Sequence, residues 1–187
     1  MPKVVDHESY RTELLARAFE LFASLGYEAT TMRRLASELG VSTGTLYHYF
    51  KTKDDIFEQM VRYVAERDVL DVATLIPLEA DSYGRLDFLI AWVRANQDHL
   101  ASFLLLALDF QRHTKKERGH PVIRDGLQQY RDAINLYMGI KDRAVARIIF
   151  EAFVGFVVTS ILDPENVDHE KLKRDLRNGL RPPPSGS

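Results

Sequence analysis

The stretch TTMRRLASELGVSTGTLYHYFKTKDDIF, Thr30 to Phe57, constrains the fold of this chain more than any other segment. Met32, Leu35, Ala36 and Leu39 fall at i, i+3, i+4 and i+7, the spacing of one helix face, and Gly40 ends the run. Gly40, Val41 and Ser42 form a three-residue break, after which a second short helix is expected from Thr43 to about Phe50. Ser42 is its natural N-cap, with Val41 and Leu46 spaced for a hydrophobic staple. Upstream, Leu15, Ala18, Phe19 and Phe22 repeat the helical spacing and Gly26 closes it. Downstream, Thr52 caps a longer helix whose first turn holds Asp54 and Asp55, where the helix dipole favours anions. Its apolar face runs through Ile56, Met60, Val61 and Val64 toward Pro77.

The rest of the chain keeps the helical period. Helices are expected from about Tyr83 to Asn96, His99 to His113, Val122 to Met138 and Arg143 to Leu162, followed by an amphipathic one from Asp168 to Leu180. No segment alternates as a strand does, so the fold class is all-α. The expected architecture is an N-terminal three-helix helix-turn-helix domain, joined through a long fourth helix to a C-terminal antiparallel helical domain. The boundaries read as 1–52 for the first domain, 53–180 for the second, and 181–187, RPPPSGS, for a flexible tail too rich in proline to extend a helix.

Composition narrows the function. At 187 residues and 45% hydrophobic, the chain can bury a sizeable core. It has no cysteine, which excludes disulfides and thiolate metal sites and suits a reducing cytoplasm. The first residues lack the basic-then-apolar pattern of a secretory signal. Ala144 to Leu162 is the most lipid-like stretch, but Arg147 and Glu151 within it make a membrane span costly, so a helix buried against protein is expected. The formal net charge of -2 argues against indiscriminate polyanion binding. Between Ala29 and Lys53, however, four cations (Arg33, Arg34, Lys51 and Lys53) stand against one anion, Glu38, and a nucleic-acid surface is expected there.

In a helix-turn-helix the second helix enters the major groove by its N-terminal end. Here that end is Thr43, Gly44 and Thr45, small and polar residues whose amides and hydroxyls can reach phosphates or base edges. Tyr47 and His48 follow with a phenol and an imidazole, for which spacing alone weighs packing and phosphate contact equally. Lys53, heading the fourth helix, is placed for a phosphate. Thr31 either caps the second helix or, beside Arg33, meets the DNA backbone. Leu35, Ala36, Leu39, Val41, Leu46 and Phe50 fall on inner faces and are assigned to the core.

These residues carry a resemblance. Thr31, Leu35-Ala36, Gly40-Val41-Ser42, Gly44, Leu46-Tyr47, Tyr49-Phe50 and Lys53 resemble the pattern T-x-x-x-[IL]-A-x-x-x-G-[VI]-[ST]-x-G-x-[LI]-Y-x-[YH]-F-x-x-K of the TetR family, and Ala18-Phe19 with Phe22 resemble its first helix. The resemblance covers about the first 60 residues; beyond them only length and helical layout are similar. It implies a cytoplasmic repressor that binds palindromic operator DNA as a homodimer and is released by a small apolar or amphipathic ligand. By the same resemblance Thr31, Tyr47, His48 and Lys53 are backbone anchors. Arg33, Thr43, Gly44 and Thr45, with Ser42 at the cap, are the candidates for base contact, and Arg33 is expected to read a guanine, the commonest pairing for Arg.

One recognition helix covers little DNA, so two half-sites read by a twofold dimer are expected. The dimer surface is placed on Ala144 to Leu162, apolar over most of its circumference with Ala152, Gly155 and Thr159 for close approach, and completed by the last helix through Leu172, Leu176 and Leu180. The alternative is that Ala144 to Leu162 is the central helix of a monomer. Among the aromatic residues crowded between Phe88 and Phe156, Trp92, Phe103, Phe110, Tyr130 and Phe153 are the preferred effector contacts, with His99 and Gln111 as polar partners. The plainer reading is that such stripes are core. Asp109, His113 and Glu117 share a helix face, but a solvated helix end accounts for them equally well, and no metal or cofactor is expected. No nucleophile elbow, phosphate loop, HExxH pair or cysteine site appears, so the chain is read as not an enzyme. An architectural DNA-binding bundle without an inducer is the other reading, distinguished by a core without a pocket.

Overall fold

Each apolar periodicity noted above becomes a helix in the structure, a computed structural model that describes residues 7–114, 120–139 and 142–179. Glu117, Leu180 and the tail 181–187 lie outside the described residues, which contain α-helices, one 3-10 turn and no strand. The first helix, α1 (His7–Leu25), buries Leu14, Leu15, Ala18, Phe19 and Phe22 and stops at Gly26. The second, α2 (Met32–Leu39), starts where the Thr31 hydroxyl accepts the Arg34 N–H at 3.2 Å. It ends at Gly40, where φ is +72° and the Val41 N–H returns to the Ala36 carbonyl at 2.9 Å. Ser42 caps α3 (Thr43–Tyr49) by accepting the Thr45 N–H at 2.9 Å, and Thr52 caps α4 (Lys53–Leu75) by accepting the Asp55 N–H at 3.0 Å.

Beyond Pro77 the same local chemistry sets the ends. Asp81 caps α5 (Ser82–Ala95), and α6 (Gln97–Thr114) follows after Asn96. Pro121 opens α7 (Pro121–Met138), a position where its missing N–H costs nothing. Asp142 caps α8 (Arg143–Leu162), a 3-10 turn covers Pro164–Asn166, and α9 is His169–Gly179.

The helices form two compact units. One combines the chain up to Asp68 with Ser102–Leu127; the other combines Val69–Ala101 with the chain from Gln128 onward. α4, α6 and α7 each contribute residues to both units.

The first unit is organised around an aromatic cluster. Phe57 stacks on Phe110 with ring centroids 4.0 Å apart, and Tyr27 meets Phe57 and Phe110 edge-on at 5.2 and 4.8 Å. Leu35, Ala36, Leu39, Leu46 and Phe50 are buried as their spacing requires. Val41 is only half-buried, because it stands in the turn between two helices rather than on a helical face.

In the second unit α5 buries Leu86, Leu89, Ile90 and Val93, and α8 buries Ile149, Phe150, Phe153, Phe156 and Val157. Arg177 and Lys173 of α9 both reach Asp87 of α5, while His169 at the start of α9 lies near Arg94 at the end of α5, so the two helices run antiparallel. By length and composition α8 could cross a membrane, yet only 33% of its apolar window is buried within the chain. Its inner face is core, whereas Ile148, Gly155, Thr159 and Leu162 stand on the exposed side, with the Arg147–Glu151 ion pair at 3.9 Å also in solvent. The rest of the chain thus covers one side of α8 and leaves the other exposed.

Candidate nucleic-acid interface

Both short helices are held from beneath. Leu46 and Phe50 are buried under α3, and Leu35, Ala36 and Leu39 under α2, so the opposite faces of both point outward. On α3 those outward residues are Thr43, Gly44, Tyr47 and His48, with Tyr47 55% exposed. Thr45 is half-exposed, its hydroxyl 2.8 Å from that of Ser42. A Cβ added at Gly44 would meet nothing nearer than the Ser42 hydroxyl at 3.7 Å, so the N-terminal end of α3 is open to a close approach. Arg33, Arg34 and Lys51 are exposed, and Thr31 keeps a free lone pair on its capping hydroxyl.

Lys53 differs from the other expected contacts. Its ammonium donates to the Tyr27 carbonyl at 2.9 Å and lies 4.0 Å from the centre of the Tyr27 ring, so it is half-buried and engaged within the protein. An ammonium has three donors, and the remaining ones are open to a phosphate.

Tyr27 is the residue that the sequence pattern did not single out. Its N–H donates to the Asp109 carboxylate at 2.8 Å, its hydroxyl donates to Asp54, and its carbonyl accepts from Lys53. Burial first, and then the Asp54 hydrogen bond, push its phenol well above the usual range. One loop residue thus ties the α1–α2 connection to α4 and α6. Asp109 belongs to this tie, and His113 lies one turn further along α6. The His113 ring sits 2.7 Å from the Asp109 carbonyl through Nδ1 and 2.7 Å from the Glu28 carboxylate through Nε2. Two of the three residues considered for a metal are thus engaged in this polar tie, and Glu117 lies outside the described residues. His7 was also missed: its Nδ1 is 3.0 Å from the Tyr49 hydroxyl, beside Arg11 and His48 in a surface cleft of about 300 Å³. Reading α1 only for its apolar face concealed this polar end.

The expected effector residues divide between the units. Phe103, Phe110 and Gln111 belong to the first; Trp92, His99, Tyr130 and Phe153 belong to the second. Phe110 is fully buried in the aromatic cluster, and the Gln111 amide oxygen accepts the His120 N–H at 2.6 Å just before α7. Phe103 and Phe153 are buried, while Trp92, His99 and Tyr130 are half-buried.

A helix that shows solvent small polar side chains at its N-terminal end, fixed from below and preceded by a second short helix across a glycine turn, defines the helix-turn-helix class of DNA-binding proteins. Comparison with known proteins narrows the class. Residues 14–60 match the model for bacterial regulatory proteins of the tetR family. The HTH-type transcriptional regulator PksA of Bacillus subtilis is 28% identical, over 93% of this chain and 89% of that protein. The HTH-type transcriptional repressor KstR2 of Mycobacterium tuberculosis is 33% identical over 59% of this chain, an alignment that spans 56% of that repressor. Among solved structures, the transcriptional regulator FadR from Bacillus subtilis in complex with stearoyl-CoA superposes with a TM-score of 0.67 at 21% identity, covering 90% of this chain and 96% of that one. Residues 14–60 thus carry the signature of tetR-family bacterial regulatory proteins, and the relatives that the chain resembles are transcriptional regulators.

Proposed function

We propose that this chain is a repressor that grips palindromic operator DNA as a homodimer in the cytoplasm, and lets go when a small apolar or amphipathic ligand binds its helical domain. Residues 1–52 are the reading head and 53–180 the ligand and dimer domain. The observation that carries the reading is the open N-terminal end of α3, where Thr43 and Gly44 leave the backbone free to approach a base edge. Thr31, Tyr47, His48 and Lys53 hold phosphates; Arg33, with Thr43, Gly44 and Thr45 on the Ser42-capped helix, reads bases. Twofold pairing is supported by the exposed side of α8, where Ile148 and Leu162 stand in solvent beside Gly155 and Thr159, and α9 completes that surface by its position beside α8.

Repression is supported by the name that KstR2 carries, and ligand response by the stearoyl-CoA in the FadR structure. Within the second unit Trp92, His99, Tyr130 and Phe153 are the effector contacts; the other expected contacts, Phe103, Phe110 and Gln111, belong to the first unit, where Phe110 and Gln111 also serve packing and capping. Lever action falls to α4, which runs unbroken from Lys53 to Leu75 and contributes to both units. A ligand that favours a different pose of α4 must weaken operator binding by the same coupling free energy.

Selection of bound sequences from a random DNA pool tests this reading. The expected product is a palindrome whose half-sites lie about 10 base pairs apart, or a multiple, centre to centre. Repeating the selection with Arg33→Ala should relax one position in each half-site, at a cost of about 1–3 kcal/mol for the lost bidentate contact. Recovery of no sequence by the wild-type protein would sink the proposal, and an unchanged motif with Arg33→Ala would remove the role of Arg33.

A further inference from the structure

Between α5 and α9, inside the second unit, lies a cleft of about 360 Å³. That volume falls within the usual range of small-molecule sites, roughly 300–1,000 Å³. Ile90, Ala91 and Ala95 of α5 give it an apolar floor. Asp87, at one end, is occupied: the Arg177 guanidinium donates to it through Nε at 3.0 Å and again through Nη2, and the Lys173 ammonium stands 3.2 Å away. Two turns further along α5, about 10 Å at 1.5 Å per residue, the situation is reversed. Arg94 lines the cleft, and its exposed side chain makes no hydrogen bond or ion pair with any described residue.

Beside Arg94 is an unsatisfied group. The Nδ1 atom of His169 is buried and has no hydrogen-bond partner among the described residues, although the ring itself is fixed against Phe156 with centroids 4.7 Å apart. Buried polar atoms are nearly always partnered, and this orphan belongs to a residue that lines the cleft, so it points to a ligand there. Burial, and then the nearby Arg94, hold this imidazole below its ordinary value, so it stands neutral and can donate from Nδ1 in one tautomer. The charges allow an anion. Arg94, Lys173 and Arg177 stand against Asp87 and Glu170, leaving one net positive charge, while Asp168, also near His169, has Arg174 at 4.0 Å. A single surplus charge suits a monoanion better than a phosphate dianion.

We propose that the α5–α9 cleft binds a small amphipathic carboxylate, with its anionic end on Arg94 and His169 Nδ1 and its apolar body along Ile90, Ala91 and Ala95. Trp92, His99, Tyr130 and Phe153 are not among the residues that line this cleft, and the proposal does not depend on whether occupancy reaches the operator.

Titration calorimetry of the full chain at neutral pH tests it, with octanoate as probe and octanol, octylamine and inorganic phosphate as comparisons. Octanoate should bind at least ten-fold more tightly than any of the three and shift the His169 imidazole nitrogen signal in NMR spectra. Arg94→Gln should weaken octanoate ten-fold or more with an unchanged melting temperature, since Arg94 supports no other side chain, and Arg94→Lys should restore part of the affinity. Octanol binding as tightly as octanoate, tighter phosphate binding, an indifferent Arg94→Gln protein, or a motionless His169 signal would each overturn the assignment. Because the readout is ligand binding without DNA, failure here leaves the regulator reading untouched.

Discussion

Two acceptors facing one imidazole decide the charge of His113. The Asp109 carbonyl and the Glu28 carboxylate can only accept, so both ring nitrogens satisfy them only when both carry protons. The backbone hydrogen bond to Asp109 first, and then the hydrogen bond to Glu28, raise His113 above its ordinary value. Arg112, on the same helix, pairs with Asp109 at 3.3 Å, and the Tyr27 ring lies 6.2 Å from the imidazole. For a group whose folded-state pKa is raised, the stabilising contribution is fully present below the unfolded value, about 6.5 for histidine, and disappears as pH rises through the folded value. The difference in urea midpoint between the wild-type protein and His113→Ala should therefore be largest near pH 6 and shrink steadily toward pH 9. A difference that grows with pH would show that the ring is held neutral and that this account of the tie is wrong.

At the scale of the helix, what the sequence reveals and what it conceals follow from the range of the interactions. The starts and stops of α2, α3 and α4 were legible because Thr31, Gly40, Ser42 and Thr52 do their work within three or four residues. The Tyr27–Asp109 hydrogen bond spans 82 positions and His113–Glu28 spans 85, and no periodicity signals either. The expected effector set meets the same limit of range, because a stripe of aromatics at helical spacing reads alike whether it faces a cavity or a stacked cluster such as the one that holds Phe110. The recognition helix was visible because its chemistry is packed into one short run. Gly40 gives the cleanest test of that local logic. A Cβ there would touch nothing within 4 Å, so any cost of Gly40→Ala is conformational, about 1–2 kcal/mol for placing an L-residue in the left-handed region. Chemical denaturation should show that loss, and Gly40→Asn should recover part of it, because asparagine tolerates the conformation better. An Ala variant as stable as the wild-type protein would mean that the turn relaxes and does not fix the angle between α2 and α3.

For the whole molecule the controlling question is how a reading helix of seven residues selects a site on DNA. Such a helix is only about 10 Å long and touches a few base pairs, so discrimination needs a second copy at a fixed distance. In the proposed dimer that copy packs on the outward side of α8, where Ile148 is 55% and Leu162 78% exposed and water is a poor solvent for both. Gly155 stands on that side with nothing within 4 Å of an added Cβ, so Gly155→Leu puts no strain on a single chain and favours its helix by about 0.8 kcal/mol. In a dimer packed across α8 the same side chain occupies the space that the partner helix needs. Sedimentation should then find the variant monomeric, with a melting temperature governed by the chain alone. Operator affinity should fall by about 10²-fold or more, because the second half-site no longer binds at the high effective concentration that linkage provides. A Gly155→Leu protein that stays dimeric and binds its operator as tightly as before would place the twofold surface elsewhere, and the exposed side of α8 would then need another partner to explain it.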